Sequence, residues 1–297
     1  MPKYIMEELT QLIKDRNYDG MRNYIQHGDI TIPIYDIVYG PDNHINQYDD
    51  VMYRRSYIID IRDSLSIVEW LVKLGYPLDN QDKYGYTLMY KFVAVNFADG
   101  VELLLKYGSK AINIASNLKY TPLHKAAKIN SKYIVKILLD NGAQYDAINN
   151  DGDMPIHVAA NYNALNVIKK FIDHQPYNFN LCNREGNTAL HIAAQKCHYK
   201  FILNMFYYGC PFAVLEYKNS SGNTVLKHML EHKVAYSDEY YYLTVRLLLD
   251  FGADTATLTD EQVQQLKSRT IEDGYWLDTI NYIYLHRSLL DLLLRYA

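Results

Sequence analysis

Thr121-Pro122-Leu123-His124-Lys125-Ala126-Ala127, followed by Ile134-Val135-Lys136-Ile137-Leu138-Leu139-Asp140-Asn141-Gly142-Ala143, is the stretch on which the fold turns. Thr121 can cap the open N–H groups of a first helical turn, and Pro122 sits where a missing N–H costs nothing. The second run has apolar residues at helical spacing. It stops at Gly142, the residue type best able to take a left-handed C-terminal cap. The unit is therefore helix, turn, helix, then an extended connection.

The unit recurs. Its threonine slot reads Thr87, Thr121, Met154, Thr188 and Thr224, at spacings of 34, 33, 34 and 36. Three residues on, the histidine slot reads Tyr90, His124, His157, His191 and Lys227. Turn sequences precede each unit, as in Asp82-Lys83-Tyr84-Gly85, Asn149-Asn150-Asp151-Gly152, Asn183-Arg184-Glu185-Gly186 and Asn219-Ser220-Ser221-Gly222. A period near 33 with T-P-L-H-x-A-A slots resembles the ankyrin-repeat family over at least residues 76 to 254. The resemblance implies an all-α fold, an ankyrin-repeat solenoid of about seven to eight helix pairs with atypical terminal capping repeats. It implies a structural role for Thr121, Pro122, His124, His157, Thr188 and His191, the slot histidine bonding to backbone around the turns.

Composition agrees. A chain of 297 residues is long for one compact core, but a solenoid has no such limit because each unit touches only its neighbours. Apolar content is 49%, enough for a continuous buried stripe, and the net charge of −4 points to neither nucleic acid nor a membrane surface. Cys182, Cys197 and Cys210 form no C-x-x-C pair, which suggests free thiols in a reducing compartment. No apolar run is long enough to span a bilayer, and the first residues carry no signal-peptide pattern. A cytosolic site of action is expected, either that of the encoding organism or that of a host cell. The thirty tyrosines accompany abundant Asn, Ile and Lys, as AT-rich codon usage would produce.

Residues 1–75 read as degenerate N-terminal repeats. Gly28 to Arg54 spans 26 residues where Gly142 to Met154 spans 12, so about 14 are inserted, roughly at 33–50. This loop carries Tyr39 and Tyr48 and is either functional or disordered. A second insertion falls within Ala235–Tyr242, which should lengthen the first helix of that repeat or its turn. Residues 76–254 form the regular array, and 255–297 read as C-terminal capping helices opened by a capping box at Thr259–Gln262. Viral and intracellular-bacterial members of the family often end in an F-box-like segment. Its leucine-proline opening is missing here, so this terminus is read as a cap.

Chemistry finds little support. Slot histidines about 10 Å apart cannot share one metal, and His228 with His232 lacks a third ligand nearby in sequence. There is no phosphate-binding glycine loop, nucleophile elbow or metalloprotease motif. No cofactor or metal is expected, and the chain is read as not an enzyme. What remains is a surface. Lys91, Lys125, Lys128, Tyr162, Lys196, His228 and His232 should line a mildly basic concave stripe, with Lys128, Tyr162 and Lys196 at equivalent positions of successive first helices. Tyr39 and Tyr48 would add contacts from the insertion. The expected function is a non-catalytic adaptor for a protein partner, host-directed in the manner of viral or bacterial effectors. It should be monomeric, with neither nucleic acid nor membrane as partner. An inhibitory subunit that occupies a partner enzyme's active site is the alternative, and an enzyme built on the 36–52 insertion is a distant third.

Overall fold

The computed structural model describes residues 78–174, 179–232, 238–256 and 258–262, together with positions 15, 65, 68, 69 and 72. Two compact units divide the chain, Met1–Asn150 and Asp151–Ala297. Each is a stack of helix pairs, and the fold class is all-α as expected. The described residues hold five pairs; the expected further pairs, the 33–50 insertion and the turn at Gln175-Pro176 lie outside them.

In the first unit the pairs are α1 (Leu88–Ala94) with α2 (Ala98–Lys106), and α3 (Pro122–Lys128) with α4 (Lys132–Asp140). Helix α1 packs on α3, and α2 packs on α4. Each first helix starts at its threonine. Thr87 Oγ1 accepts from the Tyr90 N–H at 3.2 Å and Thr121 Oγ1 from the His124 N–H at 3.4 Å. His124 closes the cap in return, Nδ1 accepting from the Thr121 N–H at 3.1 Å. The helices end in left-handed residues. Asn96 and Asn130, at φ 58° and 59°, terminate α1 and α3. Behind each, a backbone bond reaches back five residues, Phe97 N–H to Phe92 O and Ser131 N–H to Ala126 O. Buried Ala126 and Ala127 keep α3 slim enough for close approach of its neighbours, while Leu123, Ile134, Val135 and Leu138 fill the core.

In the second unit the pairs are α5 (Pro155–Asn161) with α6 (Leu165–His174), α7 (Ala189–Gln195) with α8 (Tyr199–Tyr207), and α9 (Val225–Glu231) with α10 (Asp238–Asp250). Helix α7 packs on α5 and α9, and α8 packs on α6 and α10. Met154 cannot offer a hydroxyl, yet the histidine half of its cap survives, with His157 Nδ1 accepting from the Met154 N–H at 3.1 Å. The slot histidines also tie repeats together. His157 Nε2 lies 3.1 Å from Leu181 O, and His191 Nε2 lies 3.1 Å from Asn223 O.

The expectation about the last pair holds in part. Its first helix, α9, has seven residues like the others, while six residues separate it from the second helix where three separate α7 from α8. The rest of the added length enters α10, which has thirteen residues where α8 has nine. Residues 233–237 lie outside the described residues. At Thr259–Gln262 the capping box is present, with Thr259 N–H to Gln262 Oε1 at 2.9 Å and Gln262 N–H to Thr259 Oγ1 at 3.3 Å.

Candidate interaction surface

The turns before each first helix are built on one side chain. Asp82 Oδ1 accepts from the N–H groups of Tyr84 and Tyr86, both at 2.9 Å, and Asn183 and Asn219 repeat the arrangement. In the first unit successive turns are bonded edge to edge. Asn117 N–H donates to Tyr84 O at 3.0 Å, Asn117 Nδ2 to Lys83 O at 3.0 Å, and Asn150 N–H to Leu118 O at 3.0 Å. The approach is close enough that a Cβ on Gly85 would stand 2.6 Å from the Asn117 side chain.

These bonds fix what the turns present. Three residues before the threonine slot, the first unit carries Tyr84 and Leu118, whereas the second carries Asp151, Glu185 and Ser221. Leu118 is 38% exposed and Ile148 43%. Lys83 and Lys119 are exposed beside them, Lys83 Nζ lying 4.8 Å over the Tyr84 ring. The turn edge of the first unit is thus apolar and cationic. In the second unit it is acidic, and burial beside Asp151 and Glu185 raises the Asp153 carboxyl above its ordinary range. Reading the chain slot by slot across the turns would have found this contrast; the search for a stripe on the helices passed over it.

The residues of that stripe scatter. Lys91 is buried, its Nζ 2.8 Å from Asp82 Oδ2, and Lys125 is 2% exposed. Both stand four residues past the threonine, a slot that faces the interior and holds Val158 and Ile192 in the second unit, so neither is an open cation. His228 occupies the same slot and is also buried. Lys128 does not align with Tyr162 and Lys196. It is the last residue of α3, seven past its threonine, while Tyr162 and Lys196 lie eight past theirs and form the C-caps of α5 and α7. On a helix one residue is a rotation of about 100°. The counterparts of Lys128 are Asn161 and Gln195. Tyr162 is 48% exposed, Lys196 is half-buried and His232 is exposed. Asn130, Asn163 and Cys197, read as free positions, hold left-handed conformations at φ 59°, 52° and 55° that end their helices. Tyr39 and Tyr48 lie outside the described residues.

Other exposed aromatics were not singled out from sequence. Tyr133 on α4 is 76% exposed. In the second unit Phe212 is 42% exposed and packs with Phe206 and Phe251 at ring separations of 5.1 and 5.2 Å. Burial pushes the Cys197 thiol up to about 11 and the Cys210 thiol up to about 12, so both stay protonated at neutral pH. Among the described residues no three His, Cys, Asp or Glu side chains are placed to hold a metal, and no helix is long and apolar enough to cross a membrane.

Helix pairs of this length, joined by side-chain-built turns and closed by slot histidines, define a class of repeat proteins whose units serve as interaction modules. The family model for ankyrin repeats in three copies matches residues 57–149 and 142–214, and the chain belongs to the ankyrin-repeat family. An ankyrin repeat protein of Acanthamoeba polyphaga mimivirus is 28% identical over 201 residues, covering 65% of this chain and 25% of the relative. An ankyrin repeat protein of fowlpox virus is 34% identical over 132 residues, covering 43% of this chain and 39% of the relative. The mouse homologue of B-cell lymphoma 3 protein is 28% identical, covering 43% of this chain and 29% of the relative. The chain thus spans between a quarter and two fifths of the length of these relatives. Ankyrin repeats mediate protein–protein contacts and are generally non-catalytic.

Proposed function

We propose that the chain is a non-catalytic adaptor that grips a protein partner through the turn edge of its first unit, with Tyr162, Lys196 and His232 as contact residues of the second unit. The observation that carries this reading is the turn edge where exposed Lys83, Leu118, Lys119 and Ile148 stand with half-buried Tyr84. Apolar side chains fixed by backbone bonds lose little entropy on docking, and flanking cations steer an acidic, partly apolar partner segment. Similarity to ankyrin proteins of a mimivirus and a poxvirus supports a host-directed role in the cytosol, with the array of residues 76–254 held between atypical ends at 1–75 and 255–297.

The test is capture of partners from host cytosol with the full chain, then kinetics on the purified partner. Leu118→Glu should weaken binding at least about tenfold, mainly through faster dissociation. Lys83→Glu with Lys119→Glu should slow association, an effect that shrinks with added salt. Wild-type kinetics in both variants would move the site off this edge. A captured enzyme that loses activity on binding would make the chain an inhibitory subunit instead.

A further inference from the structure

The last repeat departs from the others in one exchange. Lys227 takes the histidine slot, and a histidine, His228, takes the interior slot that holds Val158 and Ile192 in the preceding two repeats. The buried imidazole of His228 lies edge-on to His191 of α7, ring centroids 5.6 Å apart, and 4.3 Å from the ring of His232 one turn on. Three imidazoles thus stand in line across the packing of α7 on α9.

The hydrogen bonds set the protonation of each ring. Asn219 Oδ1 accepts from the N–H groups of Ser221 and Asn223, so the amide orientation is fixed and Nδ2 is the donor facing His228 Nδ1 at 3.1 Å. His228 therefore carries its proton on Nε2, which is buried with no hydrogen-bond partner among the described residues. His191 is held in the same way, Nδ1 accepting from the Thr188 N–H at 3.2 Å and Nε2 donating to Asn223 O. On His228 the site a second proton would take faces the Asn219 amide donor, while His191 Nδ1 also lies 2.9 Å from the Thr188 hydroxyl. His232 differs in being exposed, and its Nδ1 donates to His228 O at 2.9 Å.

Among the described residues the surroundings offer no compensating charge. Helix α9 packs on α7, whose sole titratable residue is His191, and on the short 3-10 helix Phe212–Glu216. Glu216 there is exposed and accepts from the Asp254 N–H. On α9 itself, Glu231 is engaged by Asn223 Nδ2, and Lys227 is a further cation. A proton on His228 would therefore meet the rings of His191 and His232, and would break the bond from Asn219.

We propose that the His191–His228–His232 cluster is an acid-sensitive joint, closed at neutral pH and opened on mild acidification, that frees α9 from α7 before the rest of the second unit unfolds. A proton on His228 breaks the bond from Asn219, and a proton on either buried ring puts charge into a poorly solvated space beside another imidazole. The direction agrees with the ring environments, since burial holds both His191 and His228 down at about 4. The lost contact is local, because each repeat is held by its neighbours alone.

Amide hydrogen exchange on the full chain between pH 7.5 and 5 tests this, read as protection factors so that the intrinsic pH dependence of exchange drops out. Protection in α9 should fall about tenfold per pH unit for each proton taken up on opening, while α5 and α6 keep theirs. His228→Val restores the side chain used in the same slot of α5, and it should keep α9 at least about tenfold better protected than wild type at pH 5. Unchanged α9 protection in the wild type at pH 5 would overturn the proposal. So would a His228→Val profile that tracks the wild type, or loss of protection spread equally over α5 to α9.

Discussion

Lys119 holds φ 60° in the turn slot that Gly85, Gly152, Gly186 and Gly222 fill in the other repeats, at φ between 74° and 84°. A left-handed lysine is strained by roughly 1–2 kcal/mol, and replacing it by glycine adds about 0.4–1 kcal/mol of unfolded-state freedom. Lys119→Gly should therefore raise stability by about 0.5–1 kcal/mol, readable as a higher urea midpoint at unchanged slope; a lower midpoint would show that the lysine stem packs usefully on the turn. Tyr162 is the other residue that stands or falls alone. Its truncation to alanine should weaken partner binding by about 1–2 kcal/mol, mostly in the dissociation rate, without moving the melting temperature. Single residues were unevenly legible. The threonine, proline and histidine of the cap could be read because their chemistry is local, three residues apart on one turn. The burial of Lys91 and Lys125 could not, because a lysine looks solvated until its partner is known, and Asp82 is nine residues away in a separate turn.

At the scale of the helix, α4 tests the core. Leu138 is fully buried between α3 and its own neighbours Ile134 and Val135. Leu138→Ala should cost roughly 2–5 kcal/mol by leaving a cavity, and a loss below about half a kcal/mol in urea melts would contradict its packing. The interior slot of α1 gives a second test. Since α5 and α7 fill that slot with Val158 and Ile192, and Asn183 and Asn219 build the same turn as Asp82, Lys91→Leu with Asp82→Asn should cost less than Lys91→Leu alone, as a double-mutant cycle would report. Helix boundaries followed the sequence where a cap marked them, at Gly108, Gly142, Gly209 and Gly252. A cap does not fix the register of an exposed face: Lys128 stands one residue out of step with Tyr162 and Lys196 although all three follow an alanine pair. An insertion count gives how many residues the last pair adds, and not how they divide between its turn and its second helix.

For the whole molecule the useful variable is pH. His191 and His228, at about 4 in the folded chain against an ordinary 6.5, bind protons more readily once unfolded. The stability tied to keeping them neutral is complete above about pH 6.5 and is lost as pH falls from there toward 4. Across that window the unfolding free energy should drop by a few kcal/mol in total, the two rings being coupled. Urea midpoints at steps of half a pH unit would measure it, and a flat profile would refute the burial of both rings. The repeat architecture was legible from five slots at once, because a period shared by several residue types leaves few alternative folds. The interaction surface was not, because the sequence marks which residues a repeat needs and is silent on which of the others share an edge.

The bonds between successive turns in the first unit also have a mechanical meaning. Asn117 to Tyr84 and Asn150 to Leu118 join points about one repeat apart along the chain, and among the described residues no strand ladder runs beside them to share a load. A chain pulled from its ends should therefore peel this unit one repeat at a time, at low force, rather than rupture in one event. Each step should release about 33 residues, roughly 110–120 Å of extended chain. In an optical trap that would appear as a staircase, and a single rip spanning the whole unit would show that the turns bear force together.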